Sequence, residues 1–197
     1  MRYNISMNNK NAIKKIAYYS IVGLLITLSI LFNVFIQRVQ VSGHSMDPTL
    51  KTNEKLFAVK HIPIDRFDIV VAKEKTDDEN IFIIKRVIGL PGDTVEYKKD
   101  QLFVNGKKMN EPYLDSFKEK LKDGSLIDYF TKINPDYANF NFNTDYLTTD
   151  KSGNDSFKIT LKSDEYFLLG DDRPISKDSR AVGPIKKSDI VSKTFVK

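Results

Sequence analysis

Hydrophobic and polar positions divide the chain into two unequal parts. From Ile16 to Gln37 the sequence reads IAYYSIVGLLITLSILFNVFIQ and holds no charged side chain. At helical rise this run reaches roughly 33 Å, about the hydrocarbon thickness of a bilayer. Ser20, Thr27, Ser29 and Asn33 are too scattered to make a polar face, so the run is not patterned as a surface helix. A secretory signal has a shorter apolar centre and ends in small residues; this run ends in FNVFIQRVQ. The pattern predicts one membrane-spanning helix over 16–37.

After Gln37 the pattern becomes one of short β-rich runs. RVQVSG alternates, and EKLFAVKHI and FDIVVAKE are separated by the break Pro63-Ile64-Asp65. NIFIIKRVIGL is apolar on both faces, which predicts a buried strand, and Pro91-Gly92-Asp93 closes it with a turn. DTVEYKKDQLFVNGKKM predicts two short strands with Asn105-Gly106 as a type I′ hairpin turn. FKITLKSDEYFLLGDD predicts two more, and DIVSKTFV closes the chain. Short strands between turn signals predict an all-β barrel or sandwich. Residues 115–156 differ. They are rich in Asn, Asp, Thr and Tyr with weak periodicity, and they read as an insertion or cap. The expected organisation is a tail over 1–15, a transmembrane helix over 16–37, and one domain over 38–197 carrying the cap.

Charge orients this arrangement. Arg2, Lys10, Lys14 and Lys15 precede the apolar run, and Arg38 alone follows closely. By the positive-inside rule the tail is cytoplasmic and the domain extracytoplasmic. The net charge of +5 is spread along the chain without a dense basic tract, so nucleic acid is not an expected partner and membrane lipid is. With no cysteine there is neither a disulfide nor a thiolate metal site. Two histidines, His44 and His61, speak against zinc. No metal and no cofactor are expected.

The candidate chemistry begins at VSGHSMDPTL, Val41 to Leu50, where Ser45 follows His44. A serine hydroxyl needs a base within hydrogen-bond reach to act as a nucleophile. If this stretch is extended, His44 and Ser45 face opposite sides, and nothing in KHIPID marks His61 as an alternative. A lysine becomes a base when burial strips its proton. Lys85 is the lysine with the most apolar setting, flanked on its own face by Ile83 and Val87. From pattern alone it reads equally as a buried base and as a lysine snorkelling to water from an edge strand.

These residues also carry a family resemblance. The chain is similar to the type I signal peptidases, membrane-anchored serine proteases that remove signal peptides from exported proteins. Four blocks match in order after the anchor: SGHSMDPTL (42–50), RFDIVV (66–71), KRVIGLPGD (85–93) and GDDRPISKDSRAVG (170–183). Together with the anchor they account for 60 of the 197 residues. In the family Gly is commoner at the place of Phe67, and Asn at the place of Asp172. The resemblance implies an all-β catalytic domain of the signal peptidase type, shared with self-cleaving repressor proteases, in which Ser45 is the nucleophile and Lys85 the general base. It implies that Ser176 orients the lysine, that Asp178 and Arg180 pair to support its loop, and that Asp171 holds the turn's backbone. The backbone N–H of Ser45 is the expected oxyanion donor; where some relatives add a serine hydroxyl, this chain has Gly43. The substrate is an extended peptide with small side chains one and three residues before the cut. Val39, Val41, Met46, Leu50 and Ile84 are candidates for lining its two pockets, with core packing as the other reading of each. The implied partners are preprotein signal peptides, no cofactor is implied, and a monomer is expected. The alternatives are a repressor-type Ser-Lys protease, a catalytically silent or pilin-specialised assembly factor of the same family, and a membrane-anchored β-domain that only binds peptides or cell-wall material. The first is disfavoured by the apolar run and by the lack of a helix-turn-helix segment.

Overall fold

The structure, a computed structural model, describes residues 3–75, 80–139 and 145–196. It divides into two units, Met1–Gln37 and Arg38–Lys197. The first is dominated by helix α1, Tyr3–Phe35. Within Asn11–Phe35 the most apolar 18-residue stretch has a mean hydropathy of 1.9, and none of that stretch is buried. The helix's large apolar side chains, from Ile13 to Phe35, stand exposed. A helix apolar all round, with its backbone bonds satisfied internally, is long and apolar enough to cross a membrane. It ends two residues before the expected Gln37. Strand β1 takes Ile36–Gln40, because the all-round apolar pattern gives way there to alternation. Arg2, part of the charge asymmetry, lies outside the described residues.

In chain order the next strands are β2 (Lys55–Val59), β3 (Ile69–Lys75), β4 (Asn80–Gly89), β5 (Thr94–Lys98), β6 (Gln101–Val104) and β7 (Lys107–Met109). They are followed by β8 (Ser156–Thr160), β9 (Glu165–Leu169), β10 (Ile185–Lys186) and β11 (Ile190–Thr194). One sheet has the order β1-β2-β11-β3-β4-β9-β10 and the other β7-β6-β5-β8. The expected all-β domain is therefore observed. Its main core lies where the small sheet meets β4 and β9: Ile88, Val95, Tyr97, Leu102, Val104, Phe167 and Leu169 cluster there. Burial of such side chains, about 1.5–3 kcal/mol each, is what holds the sheets together.

DTVEYKKDQLFVNGKKM forms three strands instead of two. The missed turn is Lys99-Asp100, both at positive φ, a tight reversal without the glycine that usually announces one. Asn105-Gly106 also has positive φ at both positions, the backbone a type I′ turn requires. The cap region contains two helices, α2 (Asp115–Asp123) and α3 (Leu126–Ile133). Gly124 ends the first in the left-handed conformation. Phe117, Leu126, Phe130 and Leu147 form a small core of their own. Residues 140–144 of the expected cap lie outside the described residues.

Candidate active site

The segment 43–50 is a turn, not a strand. The Asp47 N–H donates to the His44 carbonyl at 3.0 Å, and the Leu50 N–H to the Met46 carbonyl at 2.9 Å. Gly43, at φ +81°, starts the reversal in a region that side chains disfavour. The extended geometry expected for His44 and Ser45 is thereby corrected. His44 is still no partner for Ser45: its Nδ1 lies 3.0 Å from Asp47 Oδ2.

Ser45 meets Lys85 instead. Lys85 Nζ donates to Ser45 Oγ at 2.7 Å, and Lys85 is only 4% exposed. The snorkelling reading of Lys85 is thereby excluded. Burial pushes its pKa down from the usual lysine value. The carboxylates of Asp178, Glu74 and Asp171 counteract part of this, and Arg180 adds to it.

The register of β4 explains the meeting. β4 pairs with β3 from Asn80 to Arg86, with Lys85 opposite Val70. With β9 it pairs from Arg86 onward, Arg86 opposite Leu169. The chain therefore leaves β9 beside Lys85 and enters the loop that begins at Gly170. A side chain at 170 is sterically forbidden: a Cβ there would stand 2.3 Å from the Ser45 carbonyl oxygen and 2.2 Å from Ser176 Oγ. The Asp172 N–H donates to that same Ser45 carbonyl at 3.1 Å.

Arg180 pins the loop. Its guanidinium donates to Asp178 at 2.8 Å, to the Arg173 carbonyl at 2.7 Å and to the Thr149 carbonyl at 3.3 Å. Asp178 caps the short helix α4 (Ser179–Val182) and accepts the Gly170 N–H at 3.1 Å. Burial alone would raise its pKa, but Arg180 and these N–H donors hold it below the ordinary aspartate value. The expected Asp178–Arg180 pair is thus in place. Two expected contacts are not. Ser176 Oγ is buried without a hydrogen-bond partner among the described residues, so it makes no bond to Lys85; it packs against Gly170. Asp171 does not use its side chain on the turn's backbone. It accepts Arg86 Nε and Nη2 at 2.8 and 2.7 Å and Thr49 Oγ1 at 2.5 Å. That clamp ties the serine turn, β4 and the loop together.

Arg86 was overlooked in the sequence, although an arginine inside an apolar strand is a signal in itself. It is 1% exposed, and its guanidinium lies 4.0 Å from the centre of the Tyr113 ring. Arg173 was missed too. It is fully buried with Glu111 at 2.6 Å, Tyr97 at 2.9 Å and Thr148 at 3.1 Å, and its Nε holds the Gly170 carbonyl at 3.0 Å.

A cleft of about 150 Å³ opens beside Ser45 and Lys85. Val39, Val41, Met46 and Ile84 line it, with Val71 and Phe82. Leu50 does not. It is fully buried and packs with Leu56 and Ile69, so its core reading is the correct one.

The profile of the family described as signal peptidase, peptidase S26, matches residues 13–197. Signal peptidase I of Streptococcus pneumoniae is 44% identical over 187 residues, covering 92% of this chain and 90% of the relative. Signal peptidase IB of Staphylococcus aureus is 36% identical over 180 residues, covering 88% of this chain and 84% of the relative. A crystal structure of a signal peptidase I from Enterococcus faecalis aligns with a TM-score of 0.47 at 32% identity, covering 67% of this chain and 97% of that one. With the family profile matched over nearly its whole length and relatives of 36–44% identity covered almost end to end, the chain belongs to the signal peptidase family, peptidase S26.

Proposed function

We propose that Ser45 and Lys85 are the catalytic pair with which this signal peptidase cleaves preproteins. The single observation that carries the reading is the direct 2.7 Å contact between a hydroxyl and a buried amine. With its pKa lowered by burial, Lys85 reaches the neutral form at a lower pH than a solvated lysine. Neutral Lys85 takes the Ser45 proton as Oγ attacks the scissile carbonyl. The resulting ammonium then gives that proton to the leaving amine, and water hydrolyses the acyl-enzyme with Lys85 again as base. The Ser45 N–H is the oxyanion donor. Asp178, Arg180 and Asp171 hold the two reacting groups in register, and Ser176 fills the space behind Gly170.

The cleft supports an extended substrate. Among the described residues, β9 pairs with β4 only from Arg86 onward. The earlier backbone of β4, beside Phe82, Ile83 and Ile84, is open for strand addition. Val39, Val41, Met46 and Ile84 then form shallow apolar walls that admit small side chains. The apolar helix anchors the enzyme in lipid, with the tail cytoplasmic and 38–197 outside. The Ser45–Lys85 contact favours an active protease over a silent assembly factor.

The test is processing of a model preprotein in membranes. Ser45→Ala is expected to abolish cleavage, and Lys85→Ala to slow it by about 10²–10⁴-fold, the range for a lost general base. Wild-type rates in both variants would refute the pair.

A further inference from the structure

Asp172 is fully buried, and neither of its carboxyl oxygens has a hydrogen-bond partner among the described residues. Its backbone is engaged: the N–H holds the Ser45 carbonyl and the carbonyl accepts the Ser176 N–H at 3.0 Å. The titratable groups around the side chain come from the serine turn, α3, its own loop and α4. Asp47, itself 6% exposed, faces it from the serine turn and already has His44 on one oxygen. Tyr129 of α3 faces both Asp47 and Asp172. Asp171 and Arg180 act on it from its own loop and α4. The Ile175 N–H lies near it and forms no well-shaped hydrogen bond. Two carboxylates in such a pocket repel each other and lose their hydration.

We propose that Asp172 is a positioning residue: it carries its proton in the working enzyme, and only the uncharged side chain lets the 170–172 turn hold Ser45 against Lys85. A proton on Asp172 removes the repulsion from Asp47 and supplies an O–H donor. Burial first, and the Asp47 charge second, push its pKa up to about 8, with the Ile175 N–H and then Arg180 offsetting only part. Ionisation above that pH sets the turn under repulsion at the point where its N–H supports the nucleophile. The proposal rests on the reading of Ser45 as nucleophile and Lys85 as base.

The pH–rate profile tests it. In wild type, kcat on a model preprotein rises as Lys85 loses its proton, then falls about tenfold per pH unit once Asp172 ionises. Asp172→Asn, neutral at every pH, keeps the rise and lacks the fall. The ratio of variant to wild-type kcat therefore climbs on the alkaline side; a ratio independent of pH overturns the proposal. Stability gives an independent readout. The native state keeps a proton that the unfolded chain releases near the ordinary aspartate value, so wild-type stability declines as pH rises from about 4 to about 8. The thermal midpoint of Asp172→Asn minus that of wild type should grow across this window and level off above it; a constant difference overturns the proposal. Infrared spectroscopy needs no folded variant. At neutral pH the wild type should show a protonated carboxyl C=O stretch that vanishes above the fall in kcat, and its absence at neutral pH overturns the proposal. The band should persist in Ser45→Ala. Full activity in that variant would sink the nucleophile assignment, while the band would still report on Asp172.

Discussion

Phe67 has a backbone φ of +70°, a conformation that a bulky residue seldom takes and glycine takes freely. It is held there because the backbone is in use at both ends. Its N–H donates to the Val87 carbonyl at 2.7 Å, and its carbonyl accepts Arg86 Nη1 at 2.8 Å. The ring meanwhile packs on Tyr113 and the main core. The departure from glycine within RFDIVV is thus strain offset by packing. Comparing Phe67→Gly with Phe67→Ala separates the two, since both lose the ring. The glycine variant should be more stable than the alanine variant by about 1 kcal/mol, read from urea midpoints. Alanine equal to or better than glycine would show that the position carries no strain. At this scale the sequence was informative where pattern and chemistry coincide: Lys85 stands out in an apolar strand because burial and charge conflict there. Arg86 carries that same signal, but its role and that of Arg173 were not legible, because their partners lie 85 and 62 residues away in the chain and no local pattern reports such pairings. The contact from Ser176 to Lys85, implied by resemblance alone, is not formed.

Strands were legible where alternation or a glycine turn marked them, and the helices α2 and α3 were not. Each spans only two to three turns, 9 and 8 residues, too short to be stable on propensity. They form because Phe117, Leu126 and Phe130 find Leu147 across the cap. The Arg173 cluster joins this cap to the loop beside Ser45. Glu111 Oε1 accepts from Arg173, from Tyr97 of β5 and from Tyr113, which leads into α2. Arg173 in turn holds the Gly170 carbonyl next to Ser45. Glu111→Ala leaves a buried guanidinium without its counter-ion, and breaking such a pair costs about 3–5 kcal/mol. Urea denaturation should show that loss, together with reduced preprotein processing. An unchanged unfolding midpoint would mean the cluster is solvated or compensated, contrary to its burial.

For the whole molecule, the two-part hydrophobic pattern was the most legible feature: an uninterrupted apolar run and a β-rich remainder returned as one long exposed helix and one two-sheet domain. Orientation in the membrane rests on charge alone, Lys10, Lys14 and Lys15 before the run against Arg38 after it. The absence of cysteine makes this directly testable, because a single introduced thiol is the only one in the protein. Lys14→Cys marks the tail. Lys151→Cys marks an exposed turn of the domain, far in sequence from Ser45 and Lys85. In intact cells a membrane-impermeant maleimide should label the thiol at 151 and spare the one at 14; after permeabilisation both should react. The physical requirement behind this is simple. A preprotein presents its cleavage site where its own apolar signal leaves the bilayer on the export side, so the proposed Ser45 nucleophile requires the domain on that side. Labelling at 14 with protection at 151 would invert the topology. The positive-inside assignment would then fail while the chemistry of Ser45 and Lys85 stood untouched.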